Sequence, residues 1–109
     1  MSEVAVMSDI DYITRISIHF ITRMKQRYNI TLTRQEYFEL NRIFSDKIPS
    51  SSFNIKIKDV HKYRDNQRGA TVHFISDIGF LNHKNSKISC CLVFNLKYRM
   101  LITVMEELS

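Results

Sequence analysis

His19, Arg23 and Arg27 stand at successive four-residue steps within residues 15–34 (RISIHFITRMKQRYNITLTR), a stretch holding five Lys/Arg and no acid. On a helix, each step of four advances about 40° beyond a full turn, so these side chains form one slowly drifting stripe. An imidazole beside two guanidiniums can hold a phosphate and move a proton next to it. Cleaving RNA without a metal requires a base for a ribose 2′-hydroxyl, cations for the phosphate and an acid for the leaving oxygen. His19 suits the proton transfers, Arg23 and Arg27 suit the phosphate, and Lys25 strengthens the local field. The competing structural reading places His19 at a helix–sheet boundary and leaves both arginines solvated.

A second basic island follows at residues 61–75, where Lys62, Arg64 and Arg68 face only Asp65 in the count. These cations can track an RNA backbone, and Tyr63 among them can stack on a base or donate a proton. The net charge of +5 is therefore concentrated in two places rather than spread, which favours a polyanionic partner.

The other histidines carry weaker signals. His73 alternates with Val72 and Phe74, His61 opens the second island, and His83 lies in a polar segment. Neither the histidines nor Cys90 and Cys91 have zinc-ligand spacing, so no metal or other cofactor is expected. The chain has no glycine-rich phosphate loop, no G-x-S-x-G and no close carboxylate pair apart from Glu106-Glu107. Nucleotide hydrolysis, serine-hydrolase chemistry and glycosidase chemistry all lose their usual support.

These residues need elements to position them, and the hydrophobic period supplies the elements. Residues 1–13 lack a sustained period and read as a loose lead-in. From about Thr14 to Tyr28, Ile16, Phe20 and Met24 recur at helical spacing, with Asn29 suited to ending the helix. Thr33 and Glu36 form a capping-box signature, followed by Tyr37, Leu40 and Phe44 on one face until Pro49 intervenes. The period then changes to two: Phe53, Ile55 and Ile57 alternate with polar residues, which predicts a strand with one wet face. Residues 61–69 read as a turn, 70–75 as a strand, and 76–87 as a loop. Ile88–Phe94 and Arg99–Met105 read as strands apolar on both faces, and hence central in the sheet. The prediction is a single α+β domain: two N-terminal helices packed on a mainly antiparallel four-stranded sheet.

Adjacent Cys90 and Cys91 would point to opposite faces of a strand and cannot readily pair, which fits a reducing cytoplasm. No apolar run approaches the ~20 residues that span a bilayer, so no membrane is expected as partner.

The segment Ser17–Ile30 resembles the H-x-x-x-R-M-x-x-R stretch of small RelE/BrnT-like toxin-related families. Leu92–Asn95 and Leu101-Ile102-Thr103-Val104 resemble the final strands of those families. The likeness covers residues 17–30 and 87–105, and Phe20 stands where the family has a small residue after the histidine. It implies an mRNA-cleaving toxin fold, often without metal and often neutralised by an antitoxin. It further implies that His19, Arg23 and Arg27 handle phosphate or protons, with Thr103 as a contact from the sheet.

Two functions follow as expectations. The first is a small basic RNA-directed protein of endoribonuclease type, with RNA or ribosome-bound mRNA as partner. The second is a non-enzymatic viral or mobile-element module that inhibits or redirects a host protein. A homodimer joined through the two-sided apolar strands is compatible with either.

Overall fold

The computed structural model describes residues 9–63 and 69–106. Two helices, α1 (Asp9–Tyr28) and α2 (Arg34–Ser45), precede four strands, β1 (Phe53–Tyr63), β2 (Thr71–Phe80), β3 (Ser86–Asn95) and β4 (Met100–Glu106). The strands pair antiparallel in sequence order, so the sheet is a simple meander. The expected α+β architecture, with helices packed on the sheet, is the one observed.

The helices form where the sequence provides start, stop and face. Ile16, Phe20 and Met24 of α1 are buried at helical spacing. Asn29 ends α1 with φ of 57°, and its amide donates to the Lys25 carbonyl at 2.9 Å. An amide side chain tolerates this left-handed conformation better than most. Four residues later the capping box is complete: Thr33 Oγ1 accepts from the Glu36 amide and Glu36 Oε1 accepts from the Thr33 amide, both at 3.0 Å. Two otherwise orphaned amides at the start of α2 are thereby satisfied.

One face of the sheet carries the core. Val72, Ile78 and Phe80 of β2, Cys90, Leu92 and Phe94 of β3, and Leu101 and Val104 of β4 are buried. Most of them cluster with Phe20, Met24, Tyr37 and Leu40 from the helices. Side chains alternate along each strand, so Thr71, His73 and Ile75 of β2 and Cys91 and Val93 of β3 belong to a second face.

Four expectations change. The helix begins at Asp9, not near Thr14, because Tyr12 and Ile13 pack on the core and the Tyr12 ring lies tilted against that of Tyr98, with centroids 4.4 Å apart. Tertiary contact thus extends a helix that its period alone left unmarked. Residues 1–8 of the predicted lead-in lie outside the described residues. The segment 76–87 is mostly strand: β2 continues through Ser76, Asp77 and Gly79, and β3 resumes at Ser86. Pairing with neighbours on both sides outweighs the turn preference of those residues. Similarly, β1 runs to Tyr63 instead of ending near Lys58. A register shift between Ile57 and Asp59 inserts one residue and breaks the alternation that would have revealed the strand.

The fourth correction concerns β4, which is an edge strand rather than a central one. Helical side chains satisfy its outward backbone. Tyr37 Oη donates to the Leu101 carbonyl at 2.7 Å, and Tyr28 Oη donates to the Met105 carbonyl at 3.2 Å. Asn41 bonds to Arg99 and Leu101 on the same edge. An edge covered in this way is protected from pairing with another chain at these positions.

Candidate functional site

Helix α1 lies alongside β4 and runs in the same direction. Tyr12 meets Tyr98 at one end and Tyr28 reaches Met105 at the other. Along this seam, a groove of about 390 Å³ is lined by Tyr12, Arg15, Ile16 and His19 from α1 and by Thr71, Asn95, Ile102 and Thr103 from the sheet. Thr103 pairs with Val93, which pairs with His73, so this threonine stands in a cross-strand row of the second face. The groove therefore joins the exposed side of α1 to that face.

His19 is exposed at the rim of the groove. Partial burial pushes its pKa below the usual histidine value, and the charges of Arg23 and then Arg27 push it further in the same direction. Each of these effects disfavours the protonated, charged form of the ring. At neutral pH the ring is consequently a neutral imidazole, able to accept a proton.

The two arginines share the field of His19 without sharing its groove. Arg23 is half-buried and donates from Nη1 to Gln26 Oε1 at 3.3 Å, while Arg27 is exposed. Neither lines the groove, and the guanidinium found there belongs to Arg15. Lys25 turns to the helix end, where Nζ donates to Asn29 Oδ1 at 2.8 Å.

The second island divides between the faces. Lys62 pairs with Val72 and Tyr63 with Thr71, so their side chains project to opposite sides of the sheet. Tyr63 joins His73 on the second face, with ring centroids 4.3 Å apart. Arg64 and Arg68 lie outside the described residues.

Sequence reasoning missed Arg15, Thr71 and Asn95 as neighbours of His19. Arg15 lies one helical turn before His19 and was visible as a base in the same island. Thr71 and Asn95 gave no signal of their own, because their approach to α1 depends on strand register. Thr103 was linked to the helical stripe only through the family resemblance, and it is one of four sheet residues that line the groove.

Comparison of the chain with models of known families, with curated proteins and with solved structures finds no match to any of them. Among the described residues, no helix is long and apolar enough to cross a membrane.

Proposed function

We propose that this chain is a small basic RNA-directed protein acting as an endoribonuclease of toxin type at the groove between α1 and β4. The observation that carries the reading is the position of His19: an imidazole lining a solvent-open groove beside Arg15, its charged form disfavoured by partial burial and by Arg23 and Arg27. In this chemistry His19 takes the proton of a ribose 2′-hydroxyl, and the freed oxygen attacks the adjacent phosphorus. The bond from phosphorus to the 5′-oxygen breaks, leaving a 2′,3′-cyclic phosphate, and the departing oxygen takes a proton from water in the groove. The Arg15 guanidinium in the groove stabilises the charge that develops on the phosphoryl oxygens, Arg23 and Arg27 add their longer-range field, and imidazole with guanidinium supplies this step without a metal. The likeness of residues 17–30 to RelE/BrnT-like toxins supports the same assignment, and an antitoxin is then the protein partner to seek.

Cleavage of a purified RNA or a translated mRNA tests the proposal, with the new ends analysed for cyclic phosphate. His19→Ala should abolish most cleavage while leaving the melting temperature nearly unchanged, since the side chain is exposed. Equal cleavage by the variant removes the catalytic role.

One feature favours the non-enzymatic module as a second reading. Strand β1 forms the other edge of the sheet and exposes Ile57, Val60 and Tyr63. An open edge with exposed apolar side chains suits the addition of a strand from a host protein. Co-purification of a stable protein partner, together with no RNA cleavage, selects that reading.

A further inference from the structure

A second hollow, about 420 Å³ in volume, lies on the second face of the sheet across β1 to β4 and shares no lining residue with the groove that holds His19. Its walls differ in chemistry from those of the groove. Ile75, Cys91 and Met105 give it apolar and soft surfaces, and Tyr63 and His73 contribute two rings in contact, their planes tilted by 51°. We propose that this hollow is a nucleobase subsite, in which a base of the RNA bound at the α1 groove stacks on Tyr63 beside His73. The proposal rests on the RNA-directed reading and adds the part of the substrate that the hollow would hold.

Several observations point to a base rather than a phosphate. Among the described residues, the hollow carries Asp59 and Glu106 against one Lys/Arg cation, Lys58, and Lys58 Nζ pairs with Asp77 at 3.2 Å. His61 Nε2 lies 3.0 Å from Asp59 Oδ2. Such a balance offers little to a phosphate, whereas a flat apolar wall with acceptors at its rim suits a heterocycle. Tyr63 is 51% exposed although one side of its ring lies against His73, so its outer face remains open for stacking. The platform is held in place: Nδ1 of His73 lies 3.7 Å from Cys91 Sγ, and cross-strand pairing sets His61 beside His73. Burial, and then the neighbouring His61, lowers the His73 pKa, so the ring presents a neutral plane at neutral pH.

The two sites are also spaced for one strand of RNA. His73 and Thr103 occupy the same cross-strand row with Val93 between them. Two inter-strand spacings separate them by roughly 10 Å, within the span of a dinucleotide. The phosphate then meets the basic flank of α1 while a neighbouring base lies over the sheet. Among the described residues, no group of three His, Cys, Asp or Glu side chains is arranged to hold a metal ion.

The test uses short single-stranded oligonucleotides that are 2′-O-methylated to prevent cleavage, titrated at one fixed salt concentration. One member of the series is intact, and each of the others has a single abasic position. For the wild-type protein, one abasic position should weaken binding about 10-fold, the usual scale for one stacked base. Tyr63→Leu should weaken binding of the intact oligonucleotide by a similar factor and remove the extra loss at that abasic position. Tyr63→Phe, which keeps the ring, should bind as wild type. Unchanged binding by Tyr63→Leu, an equal abasic loss in wild type and variant, or a Phe variant as weak as Leu overturns the base subsite alone. Wild-type protein that binds none of the oligonucleotides overturns both the subsite and the RNA-directed reading.

Discussion

Asn41 of α2 serves as a pairing partner for the backbone of β4: its Oδ1 accepts from the Leu101 amide at 2.6 Å. Its side-chain nitrogen donates to the Arg99 carbonyl at 3.1 Å. One amide side chain thus does at the sheet edge what a neighbouring strand would otherwise do. The same edge forms one wall of the groove beside α1, through Ile102 and Thr103. Sealing of the edge and construction of the site are therefore coupled.

Replacing Asn41 with Leu keeps much of the volume but removes both bonds, leaving a buried amide and a carbonyl without their partner. The expected loss is about 2–3 kcal/mol, since a buried unsatisfied polar group costs roughly its desolvation penalty. Urea unfolding should show a lower midpoint with an unchanged slope; a midpoint equal to wild type would show that the edge relaxes onto water.

Two neighbouring positions on α1 separate core from surface. Phe20 is fully buried and Ile18 is 48% exposed. Phe20→Ala should cost about 3–5 kcal/mol, a large part of the total stability of a small domain. Ile18→Lys should change stability by no more than about 0.5 kcal/mol. Thermal melts of the two variants check the contrast, and comparable losses would contradict the assigned helix face.

Cleavage should depend on pH through the free base form of His19. Desolvation, then Arg23, then Arg27 lower the pKa of this ring from its ordinary 6.5. A base acts when unprotonated, so the rate should rise with pH through a midpoint below 6.5 and then level off. Arg23→Gln removes one of the depressing charges and should move the midpoint to higher pH, whatever it does to the plateau. Rate profiles on one RNA substrate measure both. A midpoint unmoved by Arg23→Gln would separate the arginine from the field at His19.

Acid should loosen the junction of α2 with the β2–β3 turn. His83 Nε2 lies 2.8 Å from Glu36 Oε2. Burial tends to raise the Glu36 pKa, but hydrogen bonds from the Thr33 amide and His83, with smaller contributions beside them, hold it below its ordinary 4.5. A carboxyl group depressed on folding contributes stability above its unfolded value, and that contribution disappears as pH falls through the folded one. Glu36→Gln should therefore be least stable relative to wild type near neutral pH, by about 1 kcal/mol, the usual scale of a helix cap. The gap should shrink as pH falls below the ordinary 4.5 and through the lower folded value. Chemical unfolding of both proteins across that range gives the comparison, and a gap independent of pH would exclude the ionised carboxylate as its source.

The sequence alone determined the parts of the fold whose causes are local. Helix faces follow from the recurrence of Ile16, Phe20 and Met24, and the start of α2 follows from Thr33 and Glu36, because neighbours within a turn or two set both. The stripe of His19, Arg23 and Arg27 was legible for the same reason. Only the tertiary structure decided what faces His19, and that Arg15 rather than Arg23 or Arg27 shares its groove. The positions of Thr71, Asn95 and Thr103 beside α1 depend on strand register and on α1 lying along β4. The extension of β1 past Asp59 depends on a shift that defeats period-two reading. Contacts between residues far apart in the chain are selected by how whole surfaces fit together, and no window of sequence contains that information.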